Sequence, residues 1–273
     1  MSITAIMGLS GIGGGKVSTQ EFTSSGIWTV PNGVKLCQVL LVGGGGGGGA
    51  GHVSLQYAGG GGGGGEIVFG VVFLGTETSV TVTIGDGGSG GTGGLDGSNG
   101  GASSFGSFLT ADFGNFGQGG GSVEPDCRGG IGGGNTSIKS NYNEYSGVDN
   151  SMSTYGNTQP QTGSVVGARH HGGIISHPML VRHGGGAGGN GQASTPGLLY
   201  RAPGNTLFGN GGSKSSGTDT PGGGASYGPG GNAQTTGNGL SPASGYGGGG
   251  GAGYPLYNGG DGAPGYCLVM WNE

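Results

Sequence analysis

Charge is the first thing this chain lacks. Only 8% of its 273 residues are charged, with eight Lys and Arg against thirteen Asp and Glu. Phosphate binding needs a basic stripe, so nucleic acid is not expected as a partner. A net charge of −5 over this length also leaves out disorder driven by charge repulsion. No apolar stretch approaches the roughly 20 residues that cross a bilayer, so membrane insertion is not expected. Met1–Gly15 is too polar and glycine-rich for a secretory signal and lacks a basic start, which points to synthesis in a cytosol without export by that route. Cysteine is reduced to Cys37, Cys127 and Cys267. They are far apart and odd in number, with no C-x-x-C spacing for a metal. Cys37 and Cys267 lie in apolar stretches and read as small buried hydrophobes. Helical periodicity is absent from every segment.

What is present is glycine, 82 residues of it. Gly43–Gly49 and Gly59–Gly65 are unbroken runs, and Gly247–Gly251 is another. Glycine loses the most conformational freedom on folding and offers no side chain to bury. Such a chain is a flexible tether unless main-chain contacts replace side-chain contacts. Collagen needs glycine at every third place, and Gly43–Gly49, Ile67–Leu74 and Ser137–Tyr145 all break that register.

Apolar strands flank the glycine. Glu21–Val30 is β-branched and aromatic and stops at Pro31-Asn32-Gly33, a turn signal. Val34–Val42 and Glu66–Leu74 follow as strands, Thr76–Ile84 alternates with period two, and Tyr266–Asn272 is a last apolar strand. The order is strand, glycine run, short loop (His52–Ala58), glycine run, strand. Gly247–Gly253, Tyr254–Asn258, Gly259–Gly265 and the final strand repeat it. This pattern predicts hairpins whose arms are glycine. The three-residue polyproline II helix is open to glycine and has no internal hydrogen bonds, so its amides must pair with neighbouring rods or with water. Seven glycines at about 3.1 Å each make a rod of roughly 22 Å, long enough to hold a loop clear of a β base. The middle, Gly85–Tyr246, is less regular, but Gly85–Gly94, Gly97–Gly101, Gly129–Gly134, Gly184–Gly191, Gly209–Gly212 and Gly222–Gly231 fit further rods. Asn135–His183 is its largest glycine-poor stretch.

The fold class expected is therefore all-β: a small β-sandwich-like base carrying a projecting layer of stacked polyglycine II helices and loops, with essentially no α-helix. Residues 1–20 form an N-terminal attachment segment. Residues 21–84 plus 266–273 form the base, including a first rod hairpin at 43–65, and 85–265 form the rod and loop region.

F-T-S-S-G-I-W-T-V-P-N-G-V (Phe22–Val34), the apolar strand and polyglycine run after it, and the terminal G-A-P-G-Y strand together resemble the glycine-rich domain of bacteriophage tail-fibre and adhesin proteins of the T-even-like kind. The resemblance covers Phe22 to Trp271. It implies stacked polyglycine II rods whose loops touch a host surface, with recognition in the loops and no fixed catalytic set. The chain departs from the longest adhesins in lacking a separate attachment domain, which leaves Met1–Gln20 to dock on other virion tail proteins. A homotrimer, common among fibres, and a single copy capping a trimer both stay open.

Other chemistry finds little footing. Arg169-His170-His171, with His177 and His183, invites a metal, but adjacent residues on an extended chain point to opposite sides. No metal or other cofactor is expected. Gly87–Gly97 only faintly echoes a calcium repeat. No helix follows the glycine runs as a phosphate cradle requires, no G-x-S-x-G elbow occurs, and no carboxylate pair can be assigned. An enzyme is not expected. The receptor-binding candidates are Leu55, Tyr57, Tyr254, Leu256 and Tyr257 in the two tip loops, with Tyr142, Tyr145, Arg169, His170 and His171 in the glycine-poor stretch. Aromatic rings at rod ends supply binding area at low entropic cost; equally, they would cap the open ends of the rods. The resulting expectation is a non-enzymatic virion protein of the tail, fibre or tip, attaching to a bacterial outer-membrane protein or polysaccharide. The alternatives are a structural decoration or connector of the virion and an ice-binding protein, the latter requiring a flat face of regularly spaced Thr or Ala.

Overall fold

Two antiparallel sheets carry the apolar strands, and the glycine runs grow out of their ends. The computed structural model describes residues 16–52, 58–120, 129–134, 180–186, 188–189, 203, 206, 208–212, 220, 222–234, 237–242 and 244–273. Among them the strands are β1 (Val17–Phe22), β2 (Gly26–Thr29), β3 (Leu36–Val42), β4 (Ile67–Phe73), β5 (Ser79–Thr83), β6 (Ser103–Phe105), β7 (Leu109–Ala111), β8 (Leu180–His183) and β9 (Tyr266–Asn272), and there is no helix. One sheet has the order β1-β9-β3-β4-β8 and the other β2-β5-β6-β7.

The sheets close on a shared core of Trp28, Val39, Leu41, Val68, Val82, Phe105, Val269 and their neighbours. Trp28 is its centre, with the Phe105 and Trp271 rings 5.7 and 5.5 Å away. The first sheet is covered on its other face as well, where Leu40, Val42, Ile67, Leu268 and Met270 meet Phe208, Tyr227 and Tyr246. Burial on both faces is why β3 and β9 read as continuous apolar runs. β5 has one wet face and alternates. Burial also pushes the Cys37 and Cys267 thiols up to about 12, which suits their reading as small hydrophobes.

Three differences from the sequence reading concern the base. The expected strand Glu21–Val30 is two strands in different sheets: β1 pairs with β9 and β2 with β5. Thr23–Ser25 carries the chain across, and the Ser25 hydroxyl accepts the Ile84 N–H at 2.9 Å. Val17–Gln20, placed in the attachment segment, belongs to β1. The sheets also draw β6, β7 and β8 from the region read as rods and loops. These strands have three or four residues each, too few to show a period.

Among the described residues, seven rods prolong strands. β3 runs into rod 43–51, β5 into 85–91, β7 into 112–120 and β8 into the rod of 184–186 and 188–189, while rods 58–66, 95–101 and 257–265 lead back into β4, β6 and β9. With three residues per turn, successive amides of such a rod point in three directions. In rod 43–51, Gly43, Gly46 and Gly49 donate to Glu66, Gly63 and Gly60; Gly44, Gly47 and Ala50 donate to Gly101, Ser98 and Leu95; Gly45, Gly48 and Gly51 donate to Ala263, Gly260 and Tyr257, all at 2.8–3.0 Å. Its carbonyls accept from a second set of rods: Gly114, Gly117 and Gly120, Gly88 and Gly91, Gly250 and Gly253. The rod thus sits inside a ring of 58–66, 112–120, 95–101, 85–91, 257–263 and 247–253, and each member of that ring bonds to the next. Rod 58–66 is enclosed in the same way by 43–51, 112–120, 129–134, the rod of Gly185, Gly186, Gly188 and Gly189, 222–226 and 247–253. This is the hexagonal polyglycine II lattice, in which buried main-chain groups satisfy one another without water.

Glycine is obligatory at its centre. A Cβ on Gly43, Gly46 or Gly49 would run into the carbonyls of rod 112–120, on Gly44 or Gly47 into those of 85–91, and on Gly45, Gly48 or Gly51 into those of 247–254. The peripheral rods need glycine wherever they abut another rod: toward the enclosed rods at Gly97 and Gly100 or at Gly114 and Gly117, and sideways at Gly87 and Gly90, where a Cβ would meet the carbonyls of Gly262 and Gly259.

Side chains take over where neighbouring rods run out. Asp96 and Asn99 accept the N–H groups of Gly119 and Phe116, Asp261 that of Gly90, and Ser98 that of Ser89, at 2.7–3.0 Å. At the junction of rod and sheet, the buried Glu66 carboxylate holds Nη1 of Arg182 with both oxygens at 3.1 Å and accepts the Asp112 N–H at 3.0 Å. Burial pushes its pKa up against the pull of that N–H and of Arg182.

Candidate functional site

The molecule has two unlike poles. β1 runs toward the rods and β9 away from them, so Val17 and Asn272 pair at the sheet pole. There the Glu273 carboxylate accepts from the Ser18 hydroxyl at 2.6 Å and lies 3.5 Å from Lys16 Nζ. At about 3.1 Å per residue the nine residues 43–51 put the opposite pole roughly 28 Å beyond the sheets.

Two described turns crown that far pole. Thr92–Leu95 closes with the Leu95 N–H on the Thr92 carbonyl at 3.1 Å. Gly93 and Gly94 both have positive φ, 59° and 85°, a type I′ turn in the residues that tolerate it. Tyr254-Pro255-Leu256-Tyr257 closes with the Tyr257 N–H on the Tyr254 carbonyl at 2.8 Å. Proline sits second, and the third residue, Leu256, has φ 74°, which makes a type II turn. The carbonyls of Leu95 and Tyr257 accept from consecutive residues of the central rod, Ala50 and Gly51, and the Leu256 N–H donates to the His52 carbonyl. Both turns are therefore docked on the end of rod 43–51. Asn238 holds the second from the side by accepting the Asn258 N–H at 2.9 Å.

The surface so built is apolar. Leu256 is 69% exposed, Leu95 67% and Tyr257 41%; the Tyr254 and Tyr257 rings lie 6.3 Å apart. Of the sequence candidates, the structure brings Tyr254, Leu256 and Tyr257 into one turn. Leu55, Tyr57, Tyr142, Tyr145, Arg169, His170 and His171 lie outside the described residues. Leu95 was missed by sequence reasoning. Its signal was present: it is the one large apolar residue in the tract Gly85–Gly101. Among the described residues no group of three or more His, Cys, Asp or Glu side chains gathers as a metal site would require. Asp96, the acid of the calcium-like stretch, is engaged with the Gly119 amide. The arrangement offers contact area and hydrogen-bonding main chain.

A β base continued by a glycine-rod lattice with turns on its far end defines a glycine-rich, all-β fold. The model of the Glycine-rich domain family matches residues 10–272, and the chain belongs to that family. Comparison with curated proteins found no match.

Proposed function

We propose that the chain is a non-enzymatic adhesin of a bacteriophage virion, part of a tail fibre or tail tip, that attaches to a bacterial surface through the loops at the rod ends. The observation that carries this reading is the separation of the poles. Exposed Leu95, Leu256 and Tyr257 stand at one end of a rigid lattice, and the strands next to Lys16 and Glu273 pair at the other. That polarity suits a protein held at its base, through the segment preceding β1, by other virion tail proteins. The resemblance of Phe22–Val34 and of the terminal strand to phage adhesins supports the same assignment. The test is retention of fluorescently labelled protein on whole cells of a bacterial panel. Strain-selective retention that disappears when Tyr254–Asn258 is replaced by a Gly-Asn turn supports the reading, and retention on no strain refutes it.

Ice binding gains one specific observation. The outer face of the second sheet presents Thr29, Ser79, Thr81, Thr83 and Thr110, all exposed. The hydroxyls lie on strands, whereas that reading expected them along rods, and Ile27 interrupts the face. Thermal hysteresis at millimolar protein would move the assignment to this face; its absence would remove ice binding from the alternatives.

A further inference from the structure

Leu256 stands in a place the fold would give to glycine. Among the described residues every other positive-φ position is glycine: 33, 75, 93, 94, 106, 134, 237, 245 and 247. The comparison is close at hand. The Pro31–Val34 turn, closed by the Val34 N–H on the Pro31 carbonyl at 3.1 Å, has Gly33 at the equivalent third place with φ 87°. The neighbouring turn on the same pole uses Gly93 and Gly94. A left-handed backbone brings Cβ against the following carbonyl, and leucine has no short polar side chain to compensate as asparagine would. Packing does not repay the strain either, because the side chain is 69% exposed. Strain and exposure both oppose leucine at 256, in a chain that uses glycine freely.

Resting on the attachment reading, we propose that Leu256 is a preorganised apolar anchor, held at the tip by a strained turn for insertion into an apolar recess on a protein of the target surface. Leu95 and Tyr257 flank it and close the contact. The chemistry favours protein over polysaccharide. An isolated aliphatic knob gains by entering an apolar pocket and gains little from a hydroxyl-rich chain. Among the described residues the cations stand away from the tip: Lys16, Lys35 and Arg182 lie at the sheet pole or the junction, and the charge beside Leu95 is the exposed carboxylate of Asp96, which accepts the Gly119 amide.

The test uses the full chain and the variants Leu256→Gly, Leu256→Asn and Leu256→Met. The first readout needs no partner. Relief of the turn raises the thermal midpoint of Leu256→Gly and Leu256→Asn by about 1–4 °C, and a fall in both overturns the strain argument. The second readout is retention of labelled protein on whole bacterial cells, with and without prior proteinase treatment. Expected are a loss of about 10- to 150-fold for the Gly and Asn variants, near-full retention for Leu256→Met, and no retention on proteinase-treated cells. Wild-type and Leu256→Gly binding equally well would overturn the anchor and leave the attachment reading standing. Retention that survives proteinase would overturn the protein target. If the wild type is retained on no strain, the attachment reading fails and takes the anchor's role with it.

Discussion

Replacing Gly48 by alanine tests the lattice at its centre. A Cβ at this position would overlap the Gly251 carbonyl, whose carbon lies 2.7 Å away and whose preceding carbonyl oxygen lies 3.0 Å away. The obstacle is main chain in a rod that is itself surrounded, so no side chain can swing aside. Rods 43–51 and 247–253 must separate, which stretches the bonds from Gly250 to Gly46 and from Gly253 to Gly49. Overpacking costs about 1–3 kcal/mol, and two weakened hydrogen bonds add roughly 0.5–1.5 kcal/mol each. Alanine returns about 0.4–1 kcal/mol by restricting the unfolded chain. The net loss is about 2–5 kcal/mol, a fall in thermal midpoint of roughly 4–20 °C for a chain of this size. Gly26→Ala is the internal control. There the new methyl meets only the Phe22 ring at 3.5 and 3.6 Å, an ordinary contact, so the unfolded-state term dominates and the midpoint rises slightly. Unfolding followed by tryptophan fluorescence, with Trp28 and Trp271 in the core, reads both. If Gly48→Ala proves as benign as Gly26→Ala, the rods are not close-packed and the account of the fold fails.

Arg182→Gln should cost about 3–5 kcal/mol at neutral pH, because it strands the buried Glu66 charge. A carboxyl whose folded pKa is raised favours folding below its unfolded pKa and loses that contribution as pH climbs through the folded pKa. The penalty of Arg182→Gln should therefore be smaller at pH 5 than at pH 8, and urea titrations showing the opposite order would refute the burial-driven shift. Asp96→Asn keeps the acceptor for the Gly119 N–H and should be nearly neutral, whereas Asp96→Ala should lower stability by about 1–3 kcal/mol; chemical denaturation of the pair separates an edge acceptor from a mere surface charge. Amide exchange at Gly46, Gly49, Gly62 and Gly63 should be as slow as in β3. Exchange at the rate of unstructured glycine would turn the rods into tethers.

Much of this architecture could be read from the chain because the lattice writes itself into glycine spacing. Gly43–Gly49, Gly59–Gly65 and Gly247–Gly251, the uninterrupted runs, are rods enclosed on all sides, the last by 43–51, 58–66, 222–226, 230–232, 239–240 and 257–263. The less regular tracts are the peripheral rods; in 95–101 the residues that face the central rod are Gly97 and Gly100, and the exposed ones beside them are Asp96, Ser98 and Asn99. Period three was thus present in the region read as less regular, where Gly97–Gly101 already fitted a rod, diluted by outward residues. The strands that sequence missed, β6, β7 and β8, are shorter than any window that shows alternation. The split between β1 and β2 was hidden because Thr23–Ser25 is only a brief break in an otherwise strand-like run. At the tip, sequence reasoning found Tyr254, Leu256 and Tyr257 from their place between glycine arms. The left-handed turn at Leu256 was not legible, since nothing in Y-P-L-Y separates a strained type II turn from a relaxed loop.

The same physics explains why such a scaffold suits a display role. In the lattice, cohesion comes from amides and carbonyls common to every residue, and the rods ask of their sequence only that inward positions lack a Cβ. Loops joining rod ends enter that arrangement through main-chain bonds, as Tyr257 and Leu95 do with Gly51 and Ala50. A β-sandwich tip would couple loop and core through side-chain packing, so that a change in one is felt in the other. Here the side chain at 256 or 95 can change without a packed core beneath it to disturb. The cost of carrying an exposed leucine at positive φ is local to one turn and stops at the rod end. Rigidity and tolerance of substitution are thereby assigned to different atoms, the backbone holding position and the loop side chains free to change.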